Sequence, residues 1–212
     1  MTVQHNTFFS DPSIPTAEEA LQDCMNSEPS LRPHEMEAVL GLIEIKHYEK
    51  GTLLLQEGQY AKECFYNVKG CVRQFYLKGG DEKTTFFYLE DQSISSINSS
   101  SLATNPVDYY LECTEDTVLA VMSHEKEAEL YRCFPRFERL CRQGLERQIA
   151  IYHNMLTTYM TTSPEERYLN LLNERPQLLD RVPQYQLASY LGVKPESLSR
   201  IRKRILTKRQ AS

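Results

Sequence analysis

The chain has 212 residues and a mass of 24.7 kDa, with 41% hydrophobic and 25% charged residues. This length and composition exclude a disulfide-stapled miniprotein, an intrinsically disordered chain and a collagen-like chain. No run approaches the roughly 18 apolar residues of a membrane-spanning helix, and the start has no basic segment followed by an apolar one. We therefore expect a soluble, cytoplasmic globular protein whose six cysteines are reduced.

The net charge of −5 conceals a gradient along the chain. Residues 1–130 carry 9 basic and 22 acidic side chains (net −13), residues 131–180 carry 7 and 6 (net +1), and residues 181–212 carry 8 and 1 (net +7). A basic end on an acidic body is typical of a protein with a localised anionic partner, although a solvated basic tail gives the same count. Charge alone does not distinguish an anion-binding end from a solvated tail, and the sequence pattern around the basic residues is needed to distinguish them.

The first half of the chain predicts one helix followed by many short strands. Residues 31–45 place apolar side chains near helical spacing and predict a short amphipathic helix. From about residue 47, short runs rich in β-branched and aromatic residues alternate with glycine-containing turns, which indicates an antiparallel sandwich or barrel. The serine-rich stretch 93–108 interrupts these runs and predicts a loop or a short helix over a pocket.

A long helix is predicted after these strands. Ser123 is a candidate cap for a short helix, and the apolar residues of 134–160 then follow one another at steps of 3 and 4. About 27 residues at 1.5 Å each give a rod of about 40 Å. This length favours pairing with a second copy of the chain, although a helix packed on its own domain shows the same spacing. The residues expected on the paired face are Phe137, Cys141, Leu145, Ile149, Tyr152 and Leu156.

Ser163-Pro164-Glu165-Glu166 combines a helix cap, a proline at the first helical position and an acid at the third. This capping box predicts the start of another domain. We therefore divide the chain into a β domain with flanking helices (1–130), a long helix (131–162) and a C-terminal domain (163–212).

The stretch from Gln184 to Leu206 predicts a helix-turn-helix. A short apolar face ends at Gly192, a typical helix stop, and Pro195 then suits the first turn of a second helix. In that second helix Leu198, Ile201 and Ile205 repeat at helical spacing and are expected to face the core. The residues expected on the opposite, DNA-contacting face are Glu196, Ser197, Ser199, Arg200, Lys203 and Arg204.

This order of elements resembles the Crp/Fnr family of bacterial transcription regulators. The resemblance covers about residues 30–208, and its specific part is Glu196-Ser-Leu-Ser-Arg200, which is similar to the base-reading E-x-x-S-R of the family. It implies an α+β fold with an N-terminal antiparallel β-roll of the cyclic-nucleotide-binding, jelly-roll type, a long dimerisation helix and a C-terminal helix-turn-helix domain. The partners it implies are a second copy of the chain, double-stranded DNA with an imperfect palindrome, and RNA polymerase.

The chain departs from the family's phosphate-binding cassette for cyclic nucleotides. The family's Gly-Glu and Arg-Ser/Thr are replaced by the serine-rich stretch and by Val107-Asp108, which supply a carboxylate and no cation. We therefore expect no binding of cyclic AMP and an effector that is still unidentified. The residues of the candidate effector pocket are Ser95, Ser96, Ser99, Ser100, Tyr109 and Tyr110.

Neither a cofactor nor a catalytic site is predicted. The N-terminal third has only Cys24 before Cys64, unlike the cysteine group of iron–sulfur members, and no histidine or cysteine pair has a familiar zinc spacing. His47, Cys64, Cys71 and Cys113 leave a haem ligand open, although an ordinary buried residue is the favoured interpretation of each. Common catalytic motifs are missing, so the alternative to a regulator is a ligand-binding sensor that acts through protein contacts without DNA.

Overall fold

The computed structural model describes residues 31–94 and 105–210, with side chains described as far as Thr207. The strands are β1 (Glu44–Tyr48), β2 (Leu53–Leu55), β3 (Glu63–Lys69), β4 (Val72–Lys78), β5 (Asp81–Tyr88), β6 (Gln92–Ile94), β7 (Tyr110–Cys113) and β8 (Thr117–Ser123). The helices are α1 (Pro33–Leu40), α2 (His124–Cys133), α3 (Pro135–Thr161), α4 (Pro164–Glu174), α5 (Leu178–Arg181), α6 (Gln184–Tyr190) and α7 (Pro195–Gln210).

The strands form two antiparallel sheets of four strands each, with the orders β1-β8-β3-β6 and β2-β7-β4-β5. One hydrophobic core joins them, because Phe65 and Leu119 of the first sheet pack in the same cluster as Val72 and Phe86 of the second. This β-roll, followed by helices, confirms the predicted α+β fold. β5 lies at an edge of its sheet, with β4 on one side.

The predicted helix over residues 31–45 is too long. α1 ends at Leu40, and Glu44 and Ile45 belong to β1, where they pair with Val121 and Ala120 of β8. The apolar spacing of residues 43–45 fits either structure, and the pairing with β8 decides in favour of a strand. Similarly, the serine-rich stretch begins inside β6, which pairs with β3.

The helices after the roll follow their capping signals. The Ser123 hydroxyl accepts a hydrogen bond from the Lys126 amide at the start of α2, and Ser163 with Glu166 forms the predicted capping box of α4. α3 spans 27 residues, as its apolar period predicts. Among the helices in 31–94 and 105–210, none combines the length and the apolarity needed to cross a lipid bilayer.

The C-terminal helices share a core with the roll. Leu187, Leu198 and Ile201 are buried in one cluster that also contains Cys71 and Phe87 of the roll. The helix-turn-helix is therefore packed against the second sheet in this structure.

Candidate nucleic-acid interface

A tight turn at Gly192 joins α6 to α7. Gly192 has a φ of +70°, a left-handed conformation that glycine adopts without strain. The Val193 amide donates to the Ala188 carbonyl at 2.9 Å, which closes the end of α6. A Cβ at position 192 would lie 2.5 Å from the Tyr159 hydroxyl, so the end of α3 also restricts this position to glycine. The turn lies against the end of α3 and packs α7 on α6.

The two faces of α7 divide as the sequence predicts. Leu198, Ile201 and Ile205 are buried, and Leu198 is fully buried beside Ala188 of α6. Five of the six predicted contact residues are exposed on the opposite face, and Ser197 is half-buried. The five exposed residues are Glu196, Ser199, Arg200, Lys203 and Arg204. The structure thus brings the predicted contact residues together on one solvent-facing surface, which we call the α7 face.

Arg204 differs from its neighbours on this face. It forms an ion pair with Glu165 in the first turn of α4. Glu165 was expected only to take part in a capping box, and its pairing with Arg204 was not predicted. An internal partner competes with phosphate for the guanidinium, so Arg200 and Lys203 are the stronger candidates for contact with an anion.

Helix α6 docks on the free edge of β5. The Ser189 hydroxyl accepts a hydrogen bond from the Thr84 amide at 2.9 Å and donates one to the Glu82 carbonyl at 2.8 Å. Next to it, the Tyr190 ring meets the Phe87 ring edge-on, with centroids 5.4 Å apart. These contacts satisfy backbone groups that an edge strand otherwise exposes.

The same strand is supported by Arg73 of β4, on the face of the sheet that points away from the roll interior. Its side chain is only 1% exposed, and its guanidinium is paired with Glu82 at 2.6 Å and with Glu112 at 3.1 Å. Its Nε donates to the Thr84 hydroxyl at 2.9 Å, and its plane lies over the Phe75 ring. A buried cation needs such full pairing, and here it fixes the part of β5 that receives α6.

An ion cluster makes a second contact between the roll and the C-terminal helices. Arg181 of α5 donates to Glu90 at 2.6 Å and to Glu115 at 3.1 Å, and both carboxylates lie in turns of the roll. Burial raises the pKa of Glu90, but hydrogen bonds from Arg181 and from backbone amides, including that of Gly70, outweigh burial and hold the pKa below its ordinary value. This cluster could not be predicted from sequence patterns, because its members are far apart along the chain.

The two tyrosines of the predicted effector pocket lie on opposite faces of a strand. Tyr109 is buried in the roll interior with its ring 6.0 Å from that of Tyr76, whereas Tyr110 stacks on Phe75 at 5.0 Å on the other face of the strand. The expectation that both tyrosines line one pocket is therefore wrong, because neighbouring residues at the start of a strand point to opposite faces. The other predicted members, Ser95, Ser96, Ser99 and Ser100, lie outside the described residues.

Polar groups inside the roll connect to the long helix. The Tyr88 hydroxyl of β5 donates to Gln74 at 2.8 Å and lies 2.8 Å from the Tyr152 hydroxyl of α3. Burial is the main cause that raises the pKa of Tyr88 well above its ordinary value, so this phenol is neutral. Tyr152, Tyr109 and Tyr76 add smaller contributions to this rise in the pKa of Tyr88.

The apolar stripe of α3 is split into two parts. Phe137 is 5% exposed and packs on Tyr131, Cys141 packs in the same cluster, and Tyr152 packs on Phe86, so these three residues of the predicted paired face contact their own chain. The remaining three, Leu145, Ile149 and Leu156, are 45%, 53% and 59% exposed. At about 100° per residue these three lie on one side of the stripe. We call Leu145, Ile149 and Leu156 the open stripe.

No family model matches the sequence, and no curated protein matches it either. Solved structures do match the fold. The c-di-GMP-responsive global regulator CLP of Xanthomonas campestris aligns with a TM-score of 0.67 and 16% identity, covering 84% of this chain and 93% of that chain. FixK2 of Bradyrhizobium japonicum aligns with a TM-score of 0.68 and 16% identity over 78% of this chain and 85% of its own.

A third solved structure carries the family name. A putative transcriptional regulator of the Crp/Fnr family from Eubacterium rectale aligns with a TM-score of 0.66 and 15% identity, covering 84% of this chain and 85% of that chain. The alignments extend over most of each chain, and thus over both the β-roll and the C-terminal helices. The chain has the fold of the Crp/Fnr regulators, which confirms the resemblance at the level of structure.

Proposed function

We propose that this chain, which has the Crp/Fnr fold, is a homodimeric, sequence-specific DNA-binding transcription regulator that responds to an effector other than cyclic AMP. The observation that carries the proposal is the α7 face: a helix with a buried apolar side and an exposed side that begins with Glu196 and continues with Ser199, Arg200 and Lys203. Such a division is what a helix inserted into the major groove requires.

The chemistry of the α7 face suits base recognition near its N-terminus. The Arg200 guanidinium is suited to a bidentate contact with O6 and N7 of guanine, and the Glu196 carboxylate to accepting from N4 of cytosine. Lys203 lies one turn after Ser199 and is suited to a phosphate, which holds the helix in place without reading sequence. Glu196 and Arg200 are four residues apart, and their pairing with each other in the free protein is the competing explanation for these two residues.

The open stripe supports the dimer. Three large apolar side chains exposed on one side of a 27-residue helix are costly in water, and a second copy of the helix is a partner with matching spacing. A two-fold dimer presents two α7 faces about 34 Å apart, one turn of DNA. The site we propose is therefore an imperfect palindrome.

Two residues of the roll support the proposal that the effector is not cyclic AMP. Where cyclic-nucleotide-binding relatives carry a phosphate-binding arginine, Val107 is 2% exposed and packs in the roll core, and Asp108 is exposed beside it. A carboxylate at this place repels a phosphodiester. We propose instead that an effector acts on the Tyr88–Tyr152 contact, since this hydrogen bond joins the roll to α3.

Selection of binding sites from random duplex DNA by the purified protein tests the proposal. We expect a palindromic consensus whose half-site centres are separated by one helical turn, and an affinity that falls steeply with salt. A sensor that acts only through protein contacts would enrich no sequence and show no salt-dependent DNA affinity, and that result would overturn the proposal.

A further inference from the structure

Three potential metal ligands from different parts of the chain meet at the junction of the roll and α2. One ligand atom from each of Cys64, His124 and Glu127 lies within 4.8 Å of the other two. Cys64 is on β3, and the other two are in the first turn of α2. The pairing of β3 with β8 brings them together, because Glu63 is opposite Ser123 and Cys64 is opposite Met122, immediately before α2 begins.

The separations are close to those of a tetrahedral zinc site. Zn–N and Zn–O bonds of about 2.0–2.2 Å and a Zn–S bond of about 2.3 Å require ligand atoms roughly 3.3–3.8 Å apart. One ligand atom of each side chain lies within 4.8 Å of those of the other two, and His124 Nδ1 is 3.0 Å from a Glu127 carboxylate oxygen. Small side-chain rotations therefore suffice to bring three ligands around one ion, and water completes the fourth position.

Within the described part of the chain, the hydrogen bonds leave one ring nitrogen of His124 without a partner. His124 Nε2 is buried and has no hydrogen-bond partner among the described residues. The Cys64 thiol donates a hydrogen bond to the Met122 carbonyl, with a sulfur–oxygen distance of 3.3 Å. An ion bound through Nε2 would give this nitrogen a partner, and an ion bound through Nδ1 would replace its hydrogen bond to Glu127.

We propose that Cys64, His124 and Glu127 form a site for Zn²⁺. The thiolate and the carboxylate together balance the 2+ charge, and the sulfur and nitrogen ligands select zinc over calcium and magnesium, which take oxygen ligands. On binding, the Cys64 thiol loses its proton to solvent and the sulfur bonds to the metal. The inference is independent of the proposed DNA-binding function.

A neighbouring side chain already orients one ligand. The Tyr131 hydroxyl donates to the other Glu127 oxygen at 2.6 Å, an arrangement that fixes a carboxylate toward a metal. The Tyr131 ring in turn packs on Phe137 at the start of α3, with centroids 5.7 Å apart. A bound ion thus ties β3 to α2 at the place where α3 leaves the roll.

The spacing of residues along the chain does not reveal this site. His124 and Glu127 have the i, i+3 spacing of a helical ligand pair, but Cys64 is 60 residues earlier, and only strand pairing makes it a third ligand. The expectation of no metal site came from ligand spacing along the chain alone.

Zinc competition against a chromophoric chelator, with full-length protein stripped of metal and kept reduced, tests the proposal. We expect one Zn²⁺ per chain, and Cys64→Ser and Glu127→Gln each weaken the affinity by at least about 100-fold. Cys133→Ser is the matched control, because Cys133 is an exposed thiol on the same helix as His124 and Glu127. The control is expected to bind zinc as tightly as the wild type does.

Two further measurements separate ligation from misfolding. Cobalt(II) added to the wild type should produce a thiolate-to-metal charge-transfer band, which Cys64→Ser abolishes and Cys133→Ser retains. Zinc should raise the melting temperature of the wild type but not of Cys64→Ser, provided that both have the same circular dichroism without metal. The proposal is overturned if the wild type binds no zinc, or if Cys64→Ser and Glu127→Gln bind it as tightly as the wild type.

Discussion

Ser189 and Thr84 connect the helix-turn-helix to the β-roll through a hydrogen bond of 2.9 Å from the Thr84 amide to the Ser189 hydroxyl. The same hydroxyl donates to the Glu82 carbonyl at 2.8 Å, so one side chain satisfies a donor and an acceptor at the edge of β5. Helix α6, which precedes the α7 face, is thereby tied to the strand whose Glu82 and Thr84 side chains pair with Arg73. We expect a shift of β5 to move α6 through this contact.

Ser189→Ala is expected to lower the free energy of unfolding by about 1 kcal/mol, because two backbone groups lose an intramolecular partner in exchange for water. Urea unfolding followed by circular dichroism measures the difference. Ser199→Ala, at an exposed position of α7, is the control and is expected to stay within about 0.5 kcal/mol of the wild type. Equal effects of the two substitutions would show that the Ser189 contact adds nothing to stability.

The Arg181–Glu90 ion pair predicts a dependence of stability on pH. The pKa of Glu90 in the folded protein lies below its ordinary value of 4.5, because hydrogen bonds from Arg181 and backbone amides outweigh the opposing effect of burial. The ionised carboxylate therefore stabilises the folded state above about pH 4.5, and this contribution is lost as the pH falls through the lower, folded-state pKa.

Comparison with Glu90→Gln isolates this contribution from that of the other carboxylates. The wild type is expected to be the more stable protein at neutral pH, and the gap is expected to narrow as the pH falls from about 5 to about 3 in a series of urea unfolding curves. In an Arg181→Gln background, Glu90→Gln should change the stability less than it does in the wild type, because the partner of the carboxylate is already removed. A stability difference between the wild type and Glu90→Gln that did not change with pH would contradict the stabilising role of the ionised Glu90 carboxylate.

Local signals account for the parts of the structure that the sequence predicted correctly. Gly192, Ser123 and Ser163 act through the backbone of their own neighbours, so their effects are visible in a few consecutive residues. The length of α3 likewise follows from its own apolar period. These signals do not depend on knowledge of the packing.

The sequence-based predictions are wrong or incomplete where contacts between residues far apart along the chain determine the structure. The β1 residues at 44–45 were assigned to a helix, because only their pairing with β8 distinguishes the two structures. The division of the α3 stripe depends on Tyr131 and Phe86, which cover one side of it. The Arg204–Glu165 pair and the Ser189 contact join elements that no sequence period relates.

The open stripe predicts that charge at its centre prevents dimerisation. The double substitution Leu145→Glu with Ile149→Glu is expected to shift the protein from dimer to monomer in sedimentation equilibrium, because buried, unpaired carboxylates are costly at an apolar interface. Leu77→Glu is a matched control, since Leu77 of β4 has a similar exposed fraction, 42%, and lies outside α3. A dimer that tolerates both charges would exclude the open stripe as the interface.

Arg200 and Lys203 are predicted to contribute to DNA binding in different ways. Arg200→Ala should cost about 1–3 kcal/mol on the selected site and relax the preference at one base pair of each half-site. Lys203→Ala should weaken binding to all sequences alike and reduce the slope of log affinity against log salt by about one unit for each protomer.

Fluorescence anisotropy with matched and randomised duplexes at several salt concentrations measures both effects. Leu206→Ala, which removes an exposed apolar side chain of α7, is expected to change neither. If Arg200→Ala weakened every sequence equally, its guanidinium would be assigned to phosphate instead of to a base.

The Gly192 turn predicts an energetic coupling between positions 192 and 159. Gly192→Ala forces an alanine into a left-handed conformation, which costs about 1–2 kcal/mol, and brings its Cβ against the Tyr159 ring. Since the Tyr159 side chain is half exposed, it has room to move, but it then loses its contact with the Arg167 guanidinium, now 4.6 Å from the ring centroid.

A double-mutant cycle separates the backbone strain from the displaced ring. In a Tyr159→Ala background the cost of Gly192→Ala is expected to fall by about 0.5–1 kcal/mol, the value of a partly exposed cation–π contact, and the remaining cost is the strain of the turn. Urea unfolding of the four proteins gives the coupling energy. A coupling of zero would mean that only the backbone conformation, and not the close approach of Tyr159, requires glycine between α6 and α7.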